Sequence, residues 1–78
     1  MKSYNELEAL VIAWATQKGI FQNGTPARQC DKTLEEVQEL SDAIFDNNKE
    51  EIVDALGDIL VTIIIQAELQ GVSLTECL

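Results

Sequence analysis

The sequence predicts an all-α fold: an antiparallel bundle of three helices and the start of a fourth, completed by oligomerisation. Three observations carry this. The 78 residues include only four Gly and one Pro, which favours long regular elements with few turns. Apolar residues recur at three- and four-residue spacing. Helix-start signatures stand at Ser3, Thr25 and Ser73.

The first helix is expected from about Tyr4 to Lys18. Ser3 is its N-cap, with Glu6 three residues on to close a capping box, and Gly19 ends it. Leu7, Leu10, Val11 and Trp14 form its apolar stripe, and Ile20 to Gly24 reads as a loop that tucks Ile20 and Phe21 inward. Thr25-Pro26 opens the second helix, with Thr as N-cap and Pro in the first turn. Cys30, Leu34, Val37, Leu40, Ile44 and Phe45 line its packing side. Asp46-Asn47-Asn48 breaks that helix, and either Asn47 or Asn48 can cap the third, which runs from about Lys49 to Gln70 and closes at Gly71.

In the third helix, Ile59 to Ile65 is apolar nearly all round, which in a soluble chain requires cover on more than one side. Three helices do not surround it, so Ile63 to Ile65 are expected to need a second subunit. Ser73-Leu74-Thr75-Glu76 is another capping box with only two residues after it. The chain therefore reads as a single domain over residues 1–78, either cut short at its C-terminus or finished by another subunit.

Composition excludes several classes. The net charge is −9, from 14 acidic against 5 basic side chains, so no Lys/Arg footprint exists for a nucleic-acid backbone. The absence of His removes the usual zinc, haem and imidazole-base sites. Cys30 and Cys77 are too few for a disulfide framework, which suits a reduced, cytoplasmic setting. The uncharged run Ile59 to Ala67 is too short to span a bilayer, and Met1 to Ala15, carrying Glu6 and Glu8, is no signal peptide.

Two acidic clusters carry the functional argument. On the second helix Glu36 and Glu39 share a face, with Glu35 about 100° to one side. On the third, Glu51, Asp54 and Asp58 form one stripe. The short turn between these helices makes them antiparallel, so the two sets converge near one end of the pair. Carboxylates gathered beside apolar neighbours repel one another and lose solvation unless a cation joins them. A hard divalent ion, Mg²⁺ above all, is the natural partner for such oxygens.

Glu35-Glu36-Val37-Gln38-Glu39, followed by Asp54-Ala55-Leu56-Gly57-Asp58-Ile59-Leu60-Val61, resembles the MazG-like nucleotide pyrophosphohydrolases of the all-α NTP pyrophosphatase superfamily, in their short phage-type branch. Trp14-Ala15 with Lys18-Gly19-Ile20, and Gln29 with Lys32 before the Glu pair, extend the likeness over about residues 14–78. The resemblance implies a dimeric or tetrameric enzyme that uses Mg²⁺, with Mn²⁺ as a possible substitute, to split a nucleoside triphosphate into the monophosphate and pyrophosphate. It implies Glu36, Glu39 and Asp58 as metal ligands and Glu35 as the residue that positions or deprotonates the attacking water. The chain departs from the pattern at Ala55, where the family usually has Glu. Asp54 is the favoured substitute ligand, with Glu51 as a further ligand or a supporting group. Lys32 is placed either to reach a phosphate or to pair with the adjacent Glu residues, and Trp14 either to stack on a base or to sit in the core. An alternative of a different class is a non-catalytic acidic helical module that binds a partner protein.

Overall fold

The computed structural model describes all 78 residues as five helices with no strand. They are α1 (Tyr4–Gln17), α2 (Ile20–Asn23), α3 (Pro26–Phe45), α4 (Lys49–Leu69) and α5 (Leu74–Cys77). No helix is long and apolar enough to cross a membrane.

The expected caps form. The Glu6 N–H donates to Ser3 Oγ at 3.2 Å while the Glu6 carboxylate accepts from the Ser3 N–H, closing the box. The Arg28 N–H donates to Thr25 Oγ1 at 3.2 Å, with Pro26 at the first position of α3. Of the two asparagines, Asn48 caps α4, accepting from the Glu51 N–H, while Asn47 takes the left-handed conformation (φ 53°) that reverses the chain. The box at Ser73 also closes, on the single turn α5.

The segment Ile20 to Gly24 departs from the expected loop. Gly19 adopts φ 74° and the chain re-enters a helical turn at once, held by the Asn23 side-chain amide donating to the Gly19 carbonyl at 3.0 Å. Ile20 and Phe21 are half-buried.

The antiparallel pair α3–α4 is the body of the fold, and α1 lies across α4. Small side chains set the closest approaches: Ala15 of α1, Ala43 of α3 and Ala55 of α4 are all buried. Two expectations about the core need correction. Ile64 and Ile65 are covered within one chain, each 4% exposed, and only Ile63 remains open at 36%. Trp14, Cys30 and Phe45 are not core: Trp14 is half-exposed, Cys30 exposed and Phe45 90% exposed. A stripe read from spacing shows that a helix has an apolar side. It does not show which neighbour covers that side.

The hairpin has two unlike faces. Gln29, Thr33, Glu36, Leu40 and Ala43 on α3, and Ile52, Ala55, Ile59, Thr62 and Gln66 on α4, form the seam and are buried or half-buried. Residues one position beyond the seam on two antiparallel helices point to the same side, because reversing the helix reverses the sense of its ~100° step. Leu34, Val37 and Ile44 therefore share a face with Val53, Leu56, Leu60 and Ile63, and all seven are substantially exposed. The positions one before the seam make the other face, which holds Arg28, Lys32, Glu35, Glu39 and Asp42 opposite Glu51, Asp54 and Asp58.

Candidate metal centre

Near the middle of the hairpin, and not near one end as expected, Glu36 and Glu39 of α3 meet Asp58 of α4, each offering a carboxylate oxygen within 4.8 Å of the others. The i, i+3 spacing puts the two glutamates one above the other, and antiparallel pairing brings Asp58 across to them. Octahedral Mg²⁺, with oxygens at about 2.0–2.1 Å, needs ligand oxygens about 3–4 Å apart, which small side-chain rotations supply.

Glu36 is the centre of this group. Its residue is 9% exposed, and its Oε2 is buried with no hydrogen-bond partner. A buried acceptor left unpaired costs about 1–3 kcal/mol, more when charged. Its other oxygen, Oε1, lies 3.7 Å from Lys32 Nζ, which also stands 3.9 Å from Glu35 Oε2. One exposed ammonium is thus shared between two carboxylates and does not reach the orphaned atom. Three carboxylates gathered together, one of them with a buried and unpartnered oxygen, suit a hard divalent cation.

The electrostatics agree. Burial pushes the Glu36 carboxyl above the ordinary carboxylate range, the Glu39 carboxylate against it pushes the same way, and Lys32 offsets part of this. Asp58 is raised too, first by burial, then by Asp54 and Glu36, with Lys32 again opposing. Because both groups bind protons more tightly folded than unfolded, their contribution to stability is fully present below the ordinary carboxylate pKa of about 4. It is lost as pH rises through the raised values. The chain in EDTA is expected to melt at a higher temperature at pH 5 than at pH 7, by circular dichroism, and a steady rise over that interval would contradict this.

The other expected site residues divide. Lys32 makes the two ion pairs just given. Glu35 is exposed beside it. Asp54 and Glu51 lie outside the three-carboxylate group; they line a neighbouring depression of about 350 Å³ with Glu39, Asp42 and Ala55. Asp54 acts on Asp58 through its charge. Asp42 is an acid that the motif reading passed over, although its i, i+3 spacing from Glu39 was visible. Gly57 faces open space, with nothing within 4 Å of where a Cβ would stand, so the close approach between helices falls to Ala55.

Trp14 lines two clefts that meet at Asp58. One, of about 450 Å³, also takes in Arg28, Lys32, Glu36 and Ile65. The other, of about 400 Å³, is apolar, lined by Leu7, Leu10, Val11 and Val61. The centre therefore opens on one side to two cations and on another to an aromatic and aliphatic wall.

Comparison with known proteins is consistent with this geometry. The family described as phosphoribosyl-ATP pyrophosphohydrolase matches residues 6–78. The chain is also similar to the uncharacterized 18.2 kDa protein in the rep-hol intergenic region of Haemophilus phage HP1 (strain HP1c1), 29% identical over 68 residues. That alignment covers 87% of this chain and 42% of the phage protein, so the chain spans less than half the length of the curated relative it matches. No solved structure matches the chain.

Proposed function

The chain belongs to the phosphoribosyl-ATP pyrophosphohydrolase family, within the MazG-like all-α NTP pyrophosphatase superfamily, and on that premise we propose that it hydrolyses a nucleoside triphosphate to the monophosphate and pyrophosphate. The observation that carries the reading is the group of Glu36, Glu39 and Asp58 with its buried, unpartnered Glu36 oxygen.

In this reading Glu36, Glu39 and Asp58 hold Mg²⁺, with Mn²⁺ as a substitute, and Asp54 and Glu51 add negative field from the adjoining depression. The bound cation would neutralise phosphate oxygens and acidify a water. Glu35 takes a proton from the water that attacks the α-phosphorus. A new P–O bond forms there, the bond to the bridging oxygen breaks, and pyrophosphate departs with the electron pair. Lys32 leaves its two carboxylates to meet the incoming phosphates, joined by Arg28 from the same cleft. That release frees Glu35 for its proton. Trp14 and the apolar wall beside it take the base.

The small cationic supply bears on the substrate. Two basic side chains line the cleft, in a chain of net charge −9. This favours a simple nucleoside triphosphate over phosphoribosyl-ATP, which carries a further phosphate. The apolar face of the hairpin, opposite the acids, supports self-association into a dimer or tetramer through that face.

The test is pyrophosphate release from a panel of nucleoside triphosphates and phosphoribosyl-ATP with Mg²⁺. Release from at least one triphosphate, and less from phosphoribosyl-ATP, is expected. No release from any substrate, with no stabilisation by Mg²⁺ or Mn²⁺, would leave the acidic protein-binding module as the better reading.

A further inference from the structure

Below the carboxylates, the α3–α4 seam is polar where helix pairs ordinarily interlock apolar side chains. The Gln66 amide donates to the Pro26 carbonyl at 2.9 Å. The Gln29 amide donates to the Thr62 carbonyl at 3.0 Å. The hydroxyls of Thr33 and Thr62 stand 2.9 Å apart. Thr62 Oγ1 also donates to its own helix at the Ile59 carbonyl, 2.7 Å away, so Thr33 Oγ1 is the donor across the seam, its one proton shared with the Gln29 carbonyl of its own helix at 3.2 Å. Thr62 is 5% exposed.

These contacts form a ladder. Pro26, Gln29, Thr33 and Glu36 follow one another along one face of α3, and Gln66, Thr62 and Asp58 descend α4 at four-residue steps. The rung after Thr33–Thr62 is Glu36 with Asp58.

We propose that Gln29, Thr33, Thr62 and Gln66 are positioning residues that fix the axial register of α3 on α4 and so hold Glu36 against Asp58; this rests on the reading of that pair as part of a cation centre. Apolar contacts tolerate sliding, whereas a hydrogen bond of this length does not. Sliding by one residue moves a helix about 1.5 Å, and a metal constellation works only when held within about 0.5 Å. Stability alone does not account for the ladder, since a buried hydrogen-bonded pair replaced on both sides by apolar isosteres is often neutral or stabilising. Polar contacts in a helical seam are best attested as setters of register.

The experiment compares the parent chain with Thr33→Val/Thr62→Val and Thr33→Ser/Thr62→Ser, titrating each with Mn²⁺ by calorimetry and melting each in EDTA. The Val pair is expected to melt at the parent's temperature or above it, yet to bind Mn²⁺ at least about tenfold more weakly. The Ser pair is expected to melt lower and keep the parent's affinity. Gln66→Met, at the more open end of the ladder, is expected to weaken binding by a smaller factor. Parental Mn²⁺ affinity in the Val pair would overturn the proposal. Should the parent itself bind no Mn²⁺, the cation reading fails, and a crystal structure of the Val pair decides the register. A Glu36–Asp58 separation wider than the parent's supports the ladder, and an unchanged one overturns it.

Discussion

Replacing Glu36 by Gln is expected to abolish metal-dependent stabilisation and to lower pyrophosphate release by two to three orders of magnitude. It should do so without lowering the melting temperature in EDTA. The two halves of this result have opposite physical origins. Glu36 is the most buried of the three carboxylates, has an oxygen with no partner, and is crowded by Glu39. Without a cation its charge destabilises the fold, and the neutral isostere removes that repulsion at nearly constant volume. With a cation the charge becomes the main attraction, and its loss removes a ligand worth several kcal/mol of transition-state stabilisation. At a cation concentration one hundred times Kd the parent gains about 2.7 kcal/mol, about 10–20 °C in a chain of this size. Differential scanning calorimetry with and without Mg²⁺ measures it. A variant that retains the parent's metal-induced shift would remove Glu36 from the centre.

Leu56→Glu/Leu60→Glu is expected to dissociate the protein into monomers while leaving the cation centre in each chain. Both leucines lie on the half-exposed apolar face with Val53 and Ile63, beside Leu34, Val37 and Ile44. Covering the exposed half of such an aliphatic side chain is worth roughly 1 kcal/mol, and seven on one face make a patch of the sort that marks an interface. Two copies meeting there would oppose their introduced carboxylates. The measurement is mass by light scattering at micromolar concentration, with Mn²⁺ titration of the same sample. The parent is expected to weigh two or four chains and the variant one. A monomeric parent would refute self-association through this face.

How far the sequence carried differs by feature, for physical reasons. Helix ends were legible because capping is local: Ser3 with Glu6, Thr25 with Pro26, and Ser73 with Glu76 each act within one turn. Glu36, Glu39 and Asp58 were legible because spacing fixes a face and a short turn fixes antiparallel pairing. The exposure of Trp14 and the burial of Ile64 and Ile65 were not, since they depend on how α1 crosses α4. Asp54 was paired with Asp58 on spacing alone. In the structure its charge does act on Asp58, while it also faces Glu39 and Asp42 across the depression at Ala55. The ladder was also hidden, because Gln29 and Thr62 name no partner until two helices are set side by side.

The placement of the centre has a consequence for how the chain assembles. Every residue of the carboxylate group and of its ladder falls between Pro26 and Gln66, an unbroken segment folded on one turn at Asp46–Asn48. Doubling the length of a flexible loop adds only about 0.6 kcal/mol to its closure, and here the ladder partners, 29 to 40 residues apart, are joined by helix and one short turn. The entropy of bringing the donor groups together is met by the same event that zips two neighbouring helices, while α1 adds the wall that covers Asp58. The candidate cation centre is thus contained in one hairpin, its three carboxylates carried on α3 and α4 alone.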